Sequence, residues 1–234
     1  MRAAVIGASG RIGQIVISAI LGDCPDAEIV LVGRRLQPLQ EVADEKRIRF
    51  PVFVGGFDVT DESADWERLW KYKPEIVVNA SGPIIGYDPV EHDAYEERLR
   101  YNTATLMNPL KNAMEYFEEV STGLFVGASG SIAVLKRFPN QIAYCSAHTQ
   151  YRAKIHEFQE RHAAQGLLLY SFLFLNGIVE GTQAEAEREF GMRFKGEPVS
   201  ARTMRGIMKS VLASPTNGEV ILRGNYTFKP LGSG

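Results

Sequence analysis

The sequence predicts one α/β domain, a doubly wound parallel sheet with helices on both faces in a three-layer αβα sandwich. Short apolar runs typical of buried strands alternate with amphipathic helical patterns along the 234 residues. Such alternation is typical of parallel sheets. No linker, repeat or shift in composition divides the chain, and its length suits one domain with a full hydrophobic core. We therefore treat residues 1–234 as a single domain.

The first predicted strand leads into a glycine-rich turn and a helix. Residues 3–6 are apolar, and Gly7, Gly10 and Gly13 follow at intervals of three. The apolar residues after them recur at helical spacing: Ile12, Ile15, Val16, Ala19 and Ile20. A strand, a tight turn and a helix in this order indicate a dinucleotide-binding turn, whose helix N-terminus offers N–H groups to a pyrophosphate. Gly7 allows the turn, Gly10 the close approach of the phosphates, and Gly13 the packing of helix on strand.

The turn after the second strand, which we predict over residues 28–32, indicates the kind of cofactor. An acidic residue there would accept the 2′-hydroxyl of NAD, whereas arginines accommodate the 2′-phosphate of NADP. The sequence has Arg34 and Arg35 in this turn and no acidic residue, and Arg11 in the glycine turn can support them. We therefore expect NADP(H) to be preferred over NAD(H).

The rest of the chain continues the alternation of strands and helices. The predicted helices cover residues 36–44, 66–70, 101–117, 142–164 and 201–212. The predicted strands cover residues 50–54, 75–78, 124–126, 167–175 and 219–222. Residues 83–95 are predicted as a loop. The segment 180–194 is charged and poor in large apolar residues, which predicts a flexible lid over residues 178–197.

Several motifs fall where the predicted strands end. In open parallel sheets, ligands bind outside the carboxyl ends of the strands. The residues at or just past those ends are Gly7, Arg34, Asp58, Asn79, Ser131 and Asn176. We therefore expect one ligand site along this edge of the sheet.

With these motifs, the chain from the glycine turn to about residue 182 resembles the short-chain dehydrogenase/reductase family, and its glycine spacing resembles the extended and atypical branches. The resemblance implies a Rossmann fold and further contacts to a nicotinamide cofactor. Asp58-Val59 resembles the adenine-contacting element, Asn79-Ala80-Ser81-Gly82 the Asn-Asn-Ala-Gly motif, and Asn176-Gly177 the Pro-Gly turn, while Thr182 is similar to the threonine that contacts the nicotinamide amide. The cofactor-binding residues expected from the turns and the resemblance are Gly7, Ser9, Gly10, Arg11, Ile12, Gly13, Arg34, Arg35, Asp58, Val59, Asn79, Ala80, Ser81, Tyr144, His148, Asn176, Gly177 and Ile178.

The resemblance also implies a catalytic group. Asn102 falls at the position of the family's catalytic asparagine, and Ser131 precedes Tyr144 by 13 residues, the spacing of its serine and tyrosine. In this family the tyrosine is the general acid/base for hydride transfer between nicotinamide and a carbonyl or alcohol, and the serine steadies the substrate oxygen. The resemblance therefore implies an NADP-dependent oxidoreductase, a reductase or dehydrogenase with Tyr144 as acid/base.

One residue of the catalytic group departs from the family pattern. His148 stands where the family has a lysine, four residues after the tyrosine and so on the same helix face. Each unit by which the tyrosine pKa falls from about 10 needs ~1.4 kcal/mol of preferential stabilisation of the phenolate. A histidine that is half titrated near pH 7 contributes less of this than a fixed ammonium. We expect His148 to bind the cofactor ribose and to supply a weak, pH-dependent charge.

Two other functions are compatible with this departure. One is an NADP-binding protein with weak or absent catalysis, similar to the redox-sensing members of the atypical branch. The other keeps the site but catalyses isomerisation or dehydration of a bound nucleotide. Residues 77–83 also resemble saccharopine-reductase-like proteins, which share the cofactor fold but lack the serine and tyrosine arrangement. Retention of Asn102, Ser131 and Tyr144 favours the oxidoreductase, whereas His148 favours the binding protein.

The long helix predicted over residues 142–164 bears on the oligomeric state. Tyr151, Ile155 and Phe158 form its packing face. Because members of the resembled family commonly pair through this helix, we expect a homodimer or homotetramer. We interpret Lys154 as solvated, since it lies about two turns beyond Tyr144, and His156 and His162 as surface or core polar groups.

Charge and cysteine content limit the other classes of partner. The chain carries 26 basic and 28 acidic residues, a net charge of −2, which favours a small-molecule substrate over nucleic acid or a membrane surface. Cys24 and Cys145 cannot form a disulfide framework, which fits a reducing cytoplasm. No apolar run approaches the ~20 residues of a membrane helix, and a strand at the N-terminus leaves no room for a signal peptide. We expect a cytoplasmic protein and assign no metal ligands.

Overall fold

The computed structural model describes residues 1–82, 88–131, 141–162, 167–175, 192–197, 199–223 and 225–230. The strands are β1 (Arg2–Ile6), β2 (Glu28–Val32), β3 (Phe50–Val54), β4 (Ile76–Asn79), β5 (Gly123–Ser131), β6 (Leu167–Leu175), β7 (Met192–Glu197), β8 (Gly218–Arg223) and β9 (Asn225–Pro230). The helices are α1 (Arg11–Asp23), α2 (Leu36–Lys46), α3 (Glu67–Trp70), α4 (His92–Val120), α5 (Ile142–His162) and α6 (Ala201–Ala213). Each predicted strand and helix has a counterpart, although several bounds differ.

Seven of these strands form one parallel sheet in the order β3-β2-β1-β4-β5-β6-β8. From β1 the chain builds outward to β2 and β3, then crosses back to β4 and continues in the other direction. The order therefore reverses between β1 and β4, and the carboxyl ends of these strands open the crevice in which such sheets bind ligands. The predicted doubly wound sheet is confirmed.

Helices cover both faces of the sheet because its central strands are apolar on both sides. On β1, Ala3 and Val5 pack into a core with residues of α1, α2 and α6. Ala4 and Ile6, which point the other way, pack with residues of α3, α4 and α5. The predicted three-layer sandwich is thus confirmed. The two cores hold the strands in place, and with them the edge of the sheet along which the carboxyl ends of the strands lie.

Helix α4 begins at His92, so that residues 92–95, which the sequence predicted as loop, are helical. None of the residues 92–100 is buried, and several are charged. The prediction is wrong there because this first part of the helix has no apolar face to show the helical period. Helix α4 spans 29 residues, yet no helix in the described part of the chain is both long and apolar enough to cross a bilayer.

Strand β5 extends well beyond the predicted residues 124–126 and ends at Ser131. Its register with β6 shifts between Ala128 and Gly130, an irregularity that leaves Ser129 as an additional residue. Small residues such as alanine, glycine and serine give no apolar signal, so the sequence shows only the first part of the strand and not residues 127–131. Ser131 is therefore the last residue of β5 rather than a residue beyond it.

Part of the predicted lid is regular structure. Residues 192–197 form β7, which pairs antiparallel with β9. The charge pattern of residues 180–194 cannot reveal this pairing, because α6 and β8 separate the partner strand β9 from β7 along the chain. Residues 178–191 of the predicted lid lie outside the described residues.

Candidate cofactor and active site

The turn between β1 and α1 has the shape that its three glycines predicted. Gly7 has a φ of +76°, and a Cβ there would lie 2.7 Å from the backbone nitrogen of Ser81. A Cβ on Gly13 would lie 2.5 Å from the Gly7 carbonyl oxygen. Side chains at these two positions would therefore push α1 away from β1 and the turn away from the end of β4.

The N-terminus of α1 is suited to an anion. Gly10 precedes the helix and gives it no side-chain cap, and the first turn contains no acidic residue. The turn is held in place from below, since the backbone nitrogens of Gly7 and Ala8 donate to the Val32 carbonyl at 3.0 and 3.3 Å. Ser9 and Arg11 are exposed beside it. An N-terminus with no cap from Gly10 and no acidic residue in its first turn is suited to phosphate oxygens.

Two arginines follow β2 at the same edge of the sheet. Arg34 and Arg35 are both exposed, and in the part of the chain that the structure describes neither has an ion-pair partner. Gly33 fixes their backbone by donating to the Val54 carbonyl at 3.1 Å. The turn after β2 thus holds two cations at the same edge of the sheet as the glycine turn, and this turn contains no acidic residue.

The residues after β3 form a fixed local structure. The Asp58 carboxylate accepts hydrogen bonds from the Thr60 backbone nitrogen at 3.0 Å and from the Thr60 hydroxyl at 2.8 Å. Val59 is buried, and its carbonyl accepts a hydrogen bond from the Asn108 side chain at 2.8 Å. The Asp58-Val59 pair is therefore anchored to α4, where the sequence places an adenine contact.

Asn79 at the end of β4 shapes the floor of the crevice. Its buried side chain donates to the Thr105 carbonyl at 3.3 Å and accepts from the Ser81 backbone nitrogen at 3.1 Å and from the Ser81 hydroxyl. The Ala80 backbone nitrogen donates to the Ile6 carbonyl at 2.9 Å. These bonds tie β4 to β1 and α4, so Asn79 orders the backbone on which a cofactor would lie.

Tyr144 and His148 meet on one face of α5. Their ring centroids are 4.5 Å apart in an edge-to-face arrangement, and their exposed fractions are only 7% and 3%. Asn102, the third predicted catalytic residue, is fully buried on α4 one turn before Thr105. The structure thus supports the predicted proximity of Tyr144 and His148.

The charge state of His148 differs from the half-titrated group that the sequence suggested. Burial lowers its pKa from 6.5 to about 4, so the imidazole is neutral at pH 7. Neither ring nitrogen has a hydrogen-bond partner in the described part of the protein. His148 therefore supplies hydrogen-bonding atoms to the site but no positive charge.

An aspartate that the sequence did not single out fixes the start of α5. The Asp88 carboxylate accepts hydrogen bonds from the backbone nitrogens of Ile142 and Ala143, the latter at 3.3 Å. An anion at this place also interacts favourably with the helix dipole. Asp88 precedes α5 by more than fifty residues, so no local capping pattern reveals it. Because Tyr144 follows Ala143 directly, this cap holds the helix turn that carries the tyrosine.

Several predicted residues cannot be placed in this geometry. Ser131 is the last residue of β5, and its side chain is outside the description. Asn176, Gly177, Ile178 and Thr182 lie outside the described residues altogether. Their roles stay predictions.

The proposed oligomer interface is not supported by the residues that suggested it. Tyr151, Ile155 and Phe158 are buried within the chain itself, in the core formed with α4 and β5. Lys154 is partly exposed and pairs with Glu157 at 2.8 Å, which agrees with its interpretation as a solvated residue. A homodimer or homotetramer stays a prediction without these three side chains as its basis.

A cavity of about 460 Å³ lies at the opposite end of the domain from the crevice. Its lining comes from the N-terminus, the end of α1 and α6, and includes Met1, Cys24 and Lys209. The strands begin there rather than end. The cavity is therefore unrelated to the cluster of predicted site residues.

A nicotinamide cofactor fits the residues that are present. The glycines let the turn pack closely against the end of β4 and against α1, and the N-cap residue Gly10 gives α1 no side-chain cap. Arg34 and Arg35 offer positive charge, and His148 offers two buried nitrogen atoms without partners. Each of these features matches a different part of a dinucleotide, a pyrophosphate, a 2′-phosphate and a ribose.

Comparisons with known proteins show the fold. No family model and no curated protein sequence matches the chain. The closed form of serine dehydrogenase complexed with NADP+ has a TM-score of 0.75 at 16% identity, over 98% of this chain and 95% of that one. NAD+-bound xylitol dehydrogenase has a TM-score of 0.75 at 17% identity, over 95% and 96%. An NADPH-bound short chain oxidoreductase from Pseudomonas aeruginosa PAO1 with an atypical catalytic centre has a TM-score of 0.71 at 19% identity, over 96% and 95%.

At these sequence identities, the similarities show the fold alone. The similarity extends over nearly the whole length of each chain, and it includes a structure described as a short chain dehydrogenase/reductase family protein. The chain therefore has the Rossmann-type fold of short-chain dehydrogenases and reductases, as the sequence motifs implied.

Proposed function

We propose that this protein is an NADP(H)-dependent oxidoreductase that interconverts a carbonyl and an alcohol, with Tyr144 as the acid/base. The observation that carries the proposal is the contact of Tyr144 with His148, 4.5 Å between ring centroids, on the helix beside the crevice. The similar structures include one dehydrogenase complexed with NADP+ and one bound to NAD+, which supports a nicotinamide cofactor of either kind. The preference for NADP(H) rests on this chain's own arginines.

Different residues of the crevice would bind different parts of the cofactor. The glycine turn and the first N–H groups of α1 would bind the pyrophosphate. Arg34 and Arg35 would pair with the 2′-phosphate, and Asp58-Val59 would border the adenine. His148 would hydrogen-bond a ribose hydroxyl through one ring nitrogen. When bound, the nicotinamide supplies or accepts the reducing equivalent, and the protein manages the proton.

The Tyr144 hydroxyl donates that proton in one direction of the reaction and accepts it in the other. In reduction the Tyr144 O–H bond breaks, a new O–H bond forms on the former carbonyl oxygen, and the phenolate then takes a proton from water. In oxidation the phenolate takes the proton from the alcohol. Ser131, at the end of β5, is the proposed hydrogen-bond donor to the substrate oxygen.

The neutral state of His148 favours reduction. A cation beside Tyr144 would stabilise the phenolate and lower its pKa, whereas an uncharged imidazole does not. The protonated tyrosine is the form that donates, and a neutral imidazole does not favour the loss of its proton. We expect carbonyl reduction to be the faster direction at neutral pH.

A second function is favoured by the same residue. With a neutral imidazole where the resembled family has a lysine, residue 148 gives Tyr144 no electrostatic support in acid/base chemistry. An NADP-binding protein with little turnover would keep the glycine turn and the arginines while tolerating a neutral His148. Substituting the cation for the imidazole separates this function from the first.

The decisive experiment compares wild type, Tyr144→Phe and His148→Lys with NADPH and a panel of small ketones, quinones and aldehydes. We expect wild type to reduce at least one compound class, Tyr144→Phe to lose more than ~100-fold in kcat, the lower range for a general acid, and to bind NADPH nearly unchanged. Tyr116→Phe serves as control, because Tyr116 is a buried tyrosine stacked on Trp70 away from the crevice.

Three results would count against Tyr144 as the acid/base or against the oxidoreductase itself. Turnover that survives in Tyr144→Phe would show that another group supplies the proton. An equal loss in Tyr116→Phe would indicate damage to the fold. If wild type and His148→Lys both bind NADPH and reduce nothing, the binding protein is the better account.

A further inference from the structure

Two buried side chains on α5 have polar atoms without hydrogen-bond partners in the described part of the protein. They are both ring nitrogens of His148 and the hydroxyl of Tyr151. The two residues are three apart on one helix, so they lie on the same face about one turn from each other. His148 is 3% exposed, and Tyr151 is completely buried.

The Tyr151 hydroxyl lies at the crevice end of the sheet. A Cβ on Gly127 would overlap it, and the register of β4 and β5 places Gly127 beside Asn79. Burial raises the pKa of Tyr151, and the Asn79 side chain partly opposes this rise, although no hydrogen bond of good geometry joins the two. The hydroxyl is thus next to the polar floor of the cofactor site.

Buried polar groups of this kind are nearly always hydrogen-bonded, to protein or to an ordered water. A buried water needs two to four polar partners. His148 and Tyr151 supply polar atoms that have no other partner in the described part of the protein and lie about one helix turn apart, and the Asn79 side chain is beside the Tyr151 hydroxyl.

We propose that Tyr151 is the positioning residue for His148, its hydroxyl and one imidazole nitrogen sharing a buried water. The hydrogen bond made by one nitrogen of a neutral histidine determines which nitrogen carries the proton. The water would thereby fix one tautomer and leave the other nitrogen to a ribose hydroxyl. This inference rests on the proposed function only in naming the ribose as the second partner.

The test is nitrogen NMR of the histidine rings at pH 7 in the protein without cofactor. The chain has four histidines, and loss of one ring signal in His148→Gln assigns His148. In wild type we expect one dominant neutral tautomer of His148 and a cross-peak between its ring N–H or the Tyr151 hydroxyl proton and a bound water. In Tyr151→Phe we expect the two ring shifts to move toward the average of both tautomers, with Tyr116→Phe unchanged.

Two results would overturn the proposal. One is a wild-type spectrum with no water cross-peak, which needs no variant and so holds even if Tyr151→Phe fails to fold. The other is an unchanged His148 tautomer in folded Tyr151→Phe, which would leave Tyr151 with a packing role alone.

A cofactor titration separates this inference from the proposed function. We expect Tyr151→Phe to weaken NADPH binding by roughly threefold to tenfold, the loss of one modest hydrogen bond, with Tyr116→Phe as the control. Unchanged affinity in a Tyr151→Phe variant whose tautomer has shifted would overturn the ribose as the second partner. If wild type binds no NADPH, the proposed function is wrong. The NMR spectra still decide separately whether Tyr151 determines the tautomer of His148.

Discussion

At the scale of single residues, His148 sets what the site can do. Its position four residues after Tyr144 keeps it beside the tyrosine ring, and its burial keeps it uncharged. A lysine at the same place would bring charge and a flexible stem, whereas the imidazole brings two hydrogen-bonding atoms in a rigid plane. The residue therefore fits a role in holding the cofactor better than a role in stabilising a phenolate.

The pKa of His148 predicts a dependence of stability on pH. The unfolded chain binds the proton with a pKa of 6.5, whereas the folded chain binds it with a pKa of about 4. Because the unfolded state takes up the proton first, the stability that neutral His148 contributes is complete above pH 6.5 and is lost as the pH falls from there through 4. The loss amounts to roughly 3 kcal/mol of unfolding free energy at full protonation.

Urea unfolding of wild type and His148→Gln at several pH values between 7.5 and ~4 measures this effect. We expect the stability of wild type to fall more steeply with decreasing pH than that of His148→Gln. His156→Gln, an exposed histidine on the same helix, should behave like wild type. Parallel curves for wild type and His148→Gln would show that His148 is accessible to protons in the folded state.

At the scale of elements, the site depends on how α5 begins. The Asp88 carboxylate receives the first two N–H groups of the helix, so the segment after β4 and the helix with Tyr144 are joined at one point. A helix terminus that is capped from a distant segment moves with that segment. The position of Tyr144 is therefore coupled to the segment that carries Asp88.

The variant Asp88→Ala tests this coupling. Removing the acceptor should lower the free energy of unfolding by about 1 kcal/mol, the usual contribution of an N-terminal cap. It should also lower kcat more than it changes the affinity for NADPH, because the tyrosine is displaced while the glycine turn is not. Urea unfolding and steady-state kinetics give the two quantities.

Asp61→Ala is the matched control for Asp88→Ala. The Asp61 carboxylate also accepts a backbone N–H, that of Ser63 at 2.8 Å, but it does so within an exposed turn away from α5. Equal losses of stability and unchanged kcat in the two variants would contradict the assigned role of Asp88.

At the scale of the whole molecule, the sheet brings the carboxyl ends of β1, β2, β3 and β4 to one edge. This arrangement could be predicted from the sequence because the motifs at these strand ends are local patterns. The glycine turn, the apolar strands and the arginine pair are each recognisable within about ten residues, the length of one pattern. The cap by Asp88 and the pairing of β7 with β9 join distant segments, so no single stretch shows them. The neutral state of His148 follows from burial by several elements, which a sequence pattern does not reveal.

Fluorescence titration with NADPH and NADH tests most directly whether this edge of the sheet is the proposed NADP(H) site. Wild type should bind NADPH more tightly than NADH. Arg34→Ala and Arg35→Ala should each weaken NADPH binding by roughly tenfold, the loss of one charge-assisted hydrogen bond, and leave NADH binding nearly unchanged. Arg49→Ala, which removes an exposed arginine paired with Asp26 at 2.6 Å, should alter neither affinity. Equal affinities of wild type for the two cofactors, or tighter binding of NADH, would contradict the account.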